Sequence, residues 1–293
     1  FTQAVIYAIF ALGVGVLLRQ SGLVSFGHAL FFGAAGYGMG VNLELQWMPA
    51  ELALLVILVA IGVLAFAIGL VIVRVPGIAF GMLTLAIGQM AYLLASRSRG
   101  ITGGADGMGI AWPNTLFGVQ QATLLAPATL FMLAWTLMVF VTFMLLWLLR
   151  TRFGAITEAV RDNEERARFI GIKTTVPRAL VYALSAVVTG IAGLLSALNT
   201  GFVSPESLHW SVSAITLLMV VVGGFKRAAG PIVGAIVYFL FKDLLGDWAT
   251  HSMAIFGAAL IAVIVFSPDG ITGALARLLR RLRHGPSKKG AHP

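Results

Sequence analysis

The 293-residue chain contains no cysteine, which removes disulfides, thiolate nucleophiles and sulfur-ligated metals together. Charge is almost as scarce. Only 11% of the residues are Asp, Glu, Lys or Arg, less than half of the ~25% usual in a soluble domain. Too little polar surface is present to coat a globule of this size, which excludes a soluble enzyme, a disordered tail and a fibrous repeat. Chemical motifs are missing too. There is no G-x-x-x-x-G-K-[ST] to cradle a nucleotide, no H-E-x-x-H and no G-x-S-x-G elbow. The five histidines (28, 209, 251, 284, 292) lack metal-ligand spacing. No metal, cofactor or catalytic centre is expected. Inside the apolar segments only Asp243 offers a carboxylate well away from the ends, so the intramembrane acids on which proton or sodium coupling usually rests are lacking. Any energy source should be external.

What the chain has in quantity is apolar sequence: 59% of residues, with a mean hydropathy of +0.96. A helix needs about 20 apolar residues to cross ~30 Å of hydrocarbon. Runs of that kind lie at 52–73, 78–95, 122–149, 179–200, 231–246 and 250–266. The run 1–18 has no basic n-region and no small-residue cleavage site, so it reads as the remnant of a further span and not as a signal peptide. It opens on Phe1 inside an apolar stretch, which suggests a lost N-terminal piece. Two stretches are less regular. Residues 23–41 hold Gly27, Gly33, Gly36, Gly38 and Gly40, and read either as a tightly packed span or as a re-entrant segment. Residues 208–224 are short and open with His209, Ser211 and Ser213, like a broken helix in a transporter. The expected fold class is all-α: a polytopic transmembrane helical bundle with eight or nine membrane segments.

The charges are unevenly placed. Residues 150–178 carry seven basic and four acidic side chains, and residues 274–293 six basic and no acidic ones. The remainder is balanced at seven of each, so the whole net +9 lies in one internal loop and one tail. The positive-inside rule places both clusters in the cytoplasm. That requires an even number of spans between them. The four runs 179–200, 208–224, 231–246 and 250–266 satisfy this and put Lys226 and Arg227 inside as well. Upstream, the single run 122–149 places 97–121 outside and Arg74 inside, with Arg97 and Arg99 on the disfavoured side. The expected organisation is a permease domain over 1–273 and a basic, disordered cytoplasmic tail over 274–293.

The informative segment is TRFGAITEAVRDNEERARFIGIKTTVPR, residues 151–178. Ile156, Ala159, Val160, Ala167 and Ile170 fall mostly on one helical face, and Arg161, Glu164, Glu165 and Arg168 point elsewhere. Asp162 followed by Glu165 has capping-box spacing, and Gly171 suits a helix stop. A short helix or helix pair is expected outside the bilayer with a narrow apolar stripe. Such a stripe is too small to be a domain core. It fits either a groove on a partner or the lipid interface.

This loop resembles the coupling segment of binding-protein-dependent ABC importer permeases, in which a Gly-x-x-x-x-Ala-hydrophobic-Arg … Ala … Gly pattern docks onto the ATPase. The matching positions are Gly154, Ala159, Val160, Arg161, Ala167 and Gly171, with Asp162 beside them. SGLVSFGHALFFGAAGY (21–37), TGGADGMG (102–109), and VVGGFKRAAGPIVGA (221–235) with SPDGITG (267–273) resemble the branched-chain amino acid permeases of the LivM-like type. The similarity runs from about residue 1 to 273. One departure is Phe225-Lys226-Arg227-Ala228, where the family has a smaller, more polar turn. The resemblance implies a multi-pass subunit of the bacterial cytoplasmic (inner) membrane without an ATPase site of its own. Its implied partners are a homologous permease forming a heterodimer, two cytoplasmic ABC ATPases, an extracytoplasmic solute-binding protein and the lipid bilayer. The implied activity is ATP-driven import of branched-chain or related amino acids by alternating access. Urea or amides are an alternative cargo, and an ion-coupled secondary transporter is an alternative class.

Individual residues admit plainer readings. Gly36/Gly40, Gly77/Gly81 and Gly230/Gly234 are small-xxx-small pairs suited to close helix approach. His28 reads as a hydrogen-bonding strut or as a substrate contact. Lys242 and Asp243 read as snorkelling or locally paired. Asn199, Thr200, Ser211, Ser213 and Thr216 bracket a short outer loop and, with His28, form the candidate translocation-pathway set.

Overall fold

A computed structural model describes residues 1–75, 77–246 and 270–274. The chain forms α1 (Thr2–Ser21), α2 (Ala29–Leu45), α3 (Ala50–Ile72), α4 (Ile78–Arg97), the single turns α5 (Arg99–Thr102) and α6 (Gln121–Leu124), α7 (Pro127–Leu149), α8 (Arg152–Asp162), α9 (Glu164–Phe169), α10 (Thr175–Thr200), α11 (Trp210–Gly223) and α12 (Gly230–Gly246). The little extended structure is two residues per strand: β1 (Met108–Gly109) pairs antiparallel with β4 (Phe202–Val203), and β2 (Thr115–Leu116) with β3 (Val119–Gln120). The fold is an all-α membrane bundle.

Among the described residues five helices are long and apolar enough to cross a bilayer: α1, α3, α4, α7 and α10. The segments α2, α11 and α12 are shorter, at 17, 14 and 17 residues. The expected run 250–266 and the tail from 275 onward lie outside the described residues. The long helices divide by burial. In α1 and α10 72% of the apolar window is enclosed by protein, against 22% in α3 and α7 and 28% in α4. A helix that is apolar all round and buried all round is a bundle centre. Leu55, Val63, Met82, Phe143 and Trp147 instead point away from the protein, as side chains facing lipid do.

The two central helices run antiparallel. Gly13 of α1 lies against Ser185 and Thr189 of α10, where a Cβ would meet the Ser185 carbonyl and the Thr189 hydroxyl at 2.9 Å. The start of α1 and the end of α10 meet at one end of the bundle, where Gln3, Tyr7, Ser196 and Thr200 line one cavity. At the other end Arg19 and Gln20 meet the loop that precedes α10.

Three segment boundaries differ from the sequence expectation. Helix α2 starts at Ala29, not near 23, because Gly22 closes α1 in the left-handed region (φ 66) and the chain then threads past α4. There the Phe26 N–H donates to Thr84 Oγ1 at 3.2 Å, and Gly27 comes so close to the Thr84 carbonyl that only glycine fits. Helix α7 starts at Pro127, not at 122, since the residue before a proline is pushed to extended backbone and Pro suits the first helical turn. Before α11 lies a 3-10 turn, Pro205–Leu208, so the helix begins only at Trp210. The pair Gly77/Gly81 is not a packing pair. Gly77 caps α4 at φ 63 with open space around it, whereas a Cβ on Gly81 would lie 3.2 Å from the Val24 carbonyl. Gly230 and Gly234 do pack, against the backbone of Gly223 and Met219 in the α11–α12 hairpin. Thr272 Oγ1 donates to the Gly223 carbonyl at 2.7 Å, which brings residues 270–273 onto the VVGG motif.

The architecture contains an inverted repeat. Ser21-Gly22-Leu23-Val24-Ser25 ends α1, and Thr200-Gly201-Phe202-Val203-Ser204 ends α10. Both glycines are left-handed, at φ 66 and 63. An irregular stretch follows each, and each ends on a histidine, His28 or His209, at the N-cap of a short helix, α2 or α11. The first helix of each repeat packs on the third helix of the other, α10 on α3 and α1 on α12. Because α1 and α10 are antiparallel, the repeats have opposite orientation, the arrangement in which transporter sites lie between repeats.

Candidate functional site

Two features stand at opposite ends of the bundle. The first is the charged loop. At its start Gly154 packs so tightly under the Leu149 carbonyl that any side chain would collide with the backbone, which fixes a sharp turn from α7 into α8. Thr157 Oγ1 donates to Gln20 Oε1 at 2.8 Å, and Arg161 Nη1 donates to the Arg19 carbonyl at 2.5 Å, tying α8 to the end of α1. The Arg161 fork also holds Asp162 at 2.7 Å and Glu158 at 3.3 Å. Asn163, rather than Asp162, caps α9, its Oδ1 accepting from the Arg166 N–H at 2.8 Å. Gly171 closes the helix at φ 84, with Ile172 N–H returning to the Ala167 carbonyl at 3.0 Å. Glu164 then ties the loop to α10, taking Arg178 at 2.5 Å, Arg168 at 2.6 Å and the Thr174 hydroxyl at 3.0 Å. Burial would raise the Glu164 carboxyl, but hydrogen bonds from Arg178 and Thr174 and the charges of Arg178 and Arg168 outweigh it and hold the group below its ordinary range.

The apolar stripe is split. Gly154, Thr157, Val160 and Ala167 face inward and are buried by the bundle, while Ala159, Ile156, Phe169 and Ile170 remain exposed, Phe169 at 89%. The expected exposed stripe of Ile156, Ala159, Val160, Ala167 and Ile170 is therefore corrected: Val160 and Ala167 are buried and the other three exposed. Part of it has a core to join, because the loop folds back under α1 and α10.

The second feature is a cavity of about 410 Å³ at the opposite end, between α1, α2, α10, α11 and α12. Its apolar wall includes Ile6, Phe32, Val212 and Ile215, and its polar groups include Gln3, Thr200, Glu206 and Lys242. Phe32 is braced by a stacked ring, Phe10, at 5.1 Å, and Tyr7 meets Phe239 edge-on at 5.3 Å. Lys242 Nζ lies 5.8 Å from the Phe239 ring centre. Among the described residues neither Glu206 nor Lys242 has an ion-pair partner.

Of the six pathway candidates only Thr200 lines this cavity, its Oγ1 lying 2.8 Å from the Ser196 and the Phe202 carbonyls, to either of which its one proton can be donated. Asn199 is half-buried and outside it. Ser211 is engaged with His209 Nδ1 at 2.8 Å. Ser213 accepts from the Ala29 N–H at 2.6 Å, joining the N-termini of α11 and α2, and Thr216 Oγ1 donates to the Val212 carbonyl at 2.9 Å. His28 is fully enclosed. Its ring nitrogens contact Ser25 Oγ and Ser185 Oγ, each at 2.7 Å, and Ser185 donates onward to the Gly13 carbonyl at 2.7 Å. All four side chains are engaged in hydrogen bonds within or between helices, and none of them lines this cavity. Sequence reading passed over Gln3, Tyr7, Glu206 and Tyr238. The available signal was a lone Lys242 in an apolar run, together with the Gly-Leu/Phe-Val-Ser repeat that brings residues 202–207 beside α1.

Comparison with known proteins agrees with the geometry. A family described as the branched-chain amino acid transport system permease component matches residues 1–266. The high-affinity branched-chain amino acid transport system permease protein LivM of Salmonella typhimurium is 28% identical, over 98% of this chain and 72% of the relative. LivM of Escherichia coli K12 is 26% identical over the same shares. The autoinducer 2 import system permease protein LsrC of Escherichia coli SMS-3-5 is 28% identical over 97% of this chain and 82% of the relative. No solved structure matches. With the family pattern covering all but the last residues, this chain belongs to the branched-chain amino acid transport system permeases.

Proposed function

We propose that the chain is one transmembrane subunit of an ATP-driven importer for branched-chain or related amino acids, lining half of the pathway and coupling to cytoplasmic ATPases through α8 and α9. The observation that carries the coupling role is the built attachment of this loop. Arg161 clamps it to α1 and Glu164 to α10, the two central helices, while Ala159 and Ile156 stay exposed between charges. A push on that surface is therefore passed to the bundle centre and not to a loose connector, as alternating access requires. The names of the LivM relatives support branched-chain amino acids as cargo, and those of LsrC widen the range. In this reading the loop and the tail from 274 face the cytoplasm of a bacterium. The partners are a homologous permease, two ATPases and a solute-binding protein. Asn199 and Thr200 lie toward the outer end, beyond the His28 strut. The test is to purify the chain with these four partners in nanodiscs and measure ATP turnover with and without the loaded binding protein. Stimulated turnover supports the reading. A chain that transports without any ATPase overturns it.

A further inference from the structure

The cavity at the outer end holds one cation and one anion over an apolar wall. Lys242 comes from α12 and Glu206 from the turn before α11, so two segments of the second repeat supply both charges. They form no ion pair with each other or with any other described residue. The same cavity is lined by Ile6 of α1, Phe32 of α2 and Val212 and Ile215 of α11, with Gln3 and Thr200 as neutral hydrogen-bonding groups. The volume of about 410 Å³ falls in the ~300–1,000 Å³ range of small-molecule sites.

The chemistry selects the ligand class. A purely apolar solute gains nothing from two ionic groups that it must desolvate. An anion would use Lys242 but be repelled by Glu206, and a cation the reverse. A small molecule that carries both charges close together, plus an aliphatic branch, satisfies every wall. We infer that this cavity is a transit site for a free aliphatic α-amino acid. Lys242 takes the α-carboxylate, Glu206 takes the α-ammonium, and the side chain rests on Ile6, Phe32, Val212 and Ile215. This inference rests on the importer reading and adds to it the residues that recognise the cargo. Glu206 and Lys242 are both exposed at the cavity mouth, so water screens them and the site holds its ligand loosely. Loose binding suits a passage that must release what it is given.

Saturation-transfer NMR with leucine on the intact importer in nanodiscs, without the binding protein, tests the site directly. The leucine methyl groups should show the strongest transfer. Lys242→Gln and Glu206→Gln should each weaken binding about fivefold, the worth of one good exposed ion pair, and Lys242→Arg should keep it. Leucinamide, which lacks the carboxylate, should bind wild type and Lys242→Gln equally. Isocaproate, which lacks the ammonium, should bind Glu206→Gln no worse than wild type. Leucine transfer that is absent, or unchanged in both neutral variants, overturns the assignment. ATP turnover in the same nanodiscs after the loaded binding protein is added separates the two readings. Stimulated turnover with no cavity signal refutes the site alone, whereas a cavity signal that responds to the variants without ATPase coupling upholds the site and refutes the importer reading.

Discussion

His28 of α2 and Ser185 of α10 are joined through Nε2 and Oγ at 2.7 Å, deep in the protein and with no solvent contact. The proton positions follow from the neighbours. Ser185 spends its single hydroxyl proton on the Gly13 carbonyl, so it must accept from His28 Nε2–H. Nδ1 is then the acceptor, and Ser25 donates to it while its oxygen accepts the Gly27 N–H at 3.3 Å. One neutral imidazole therefore links three elements: the approach to α2, the middle of α10 and the middle of α1.

A strut of this kind tolerates another donor and acceptor but not a hydrocarbon. His28→Gln should keep most transport and assembly. His28→Leu strips two buried hydroxyls of a partner, at about 1–3 kcal/mol for each group left unsatisfied, and should lower folded yield and thermal midpoint. Normal assembly of His28→Gln with a changed solute preference would instead make His28 a cargo contact.

Glu164 gives the loop a pH dependence of known sign. Its folded carboxyl titrates below the ordinary glutamate value of ~4.3. The docking it provides is therefore complete above that value and lost as pH falls through the lower, folded one. A dye on Lys173→Cys should report a steady loop from pH 7 to about 4, and loosening below. Glu164→Gln should be looser already at pH 7, with little further change. A transition of unchanged size in Glu164→Gln would place the titrating group elsewhere.

The side assignment is tested in this cysteine-free chain with single cysteines. Thr174 is buried and hydrogen-bonded to Glu164, so the exposed neighbour Lys173 is the better probe. Lys173→Cys and Ser287→Cys should resist an impermeant thiol reagent in intact cells, and Gln120→Cys, exposed at the opposite end, should react. Labelling of the first two from outside would invert the topology.

The long helices were legible because a run such as that of α3 has one physical meaning. Other features depended on tertiary contacts. Nothing local in Leu23–Phe26 announces that α4 passes beside it, so the late start of α2 at Ala29 was hidden. The partners of Ser211, Ser213 and Thr216 were hidden too, because polarity in an apolar helix does not say which neighbour it bonds. In the fold they bond to His209, Ala29 and Val212. The split of the loop stripe into buried Val160 and exposed Ala159 likewise needs the end of α1, which helical periodicity does not contain. The repeated Gly-Leu/Phe-Val-Ser was visible in the sequence, and it marks one turn at each end of the bundle: residues 21–25 beside the charged loop and residues 200–204 at the cavity.

The most direct measurement on the central claim is binding-protein-stimulated ATP turnover, with ATPase copurification, in Ala159→Glu. Ala159 is exposed on the chain as it stands, so the substitution leaves the fold and the pairing with the sister permease intact. Seated in an ATPase groove shaped for a methyl group, the new carboxylate would be buried unpaired, at several kcal/mol, against coupling free energies of ~1–3 kcal/mol. The expected result is an inserted, paired permease whose ATPases are lost or no longer stimulated. Stoichiometric ATPase and wild-type stimulation in Ala159→Glu would contradict the account and leave the loop as a segment that rests on lipid.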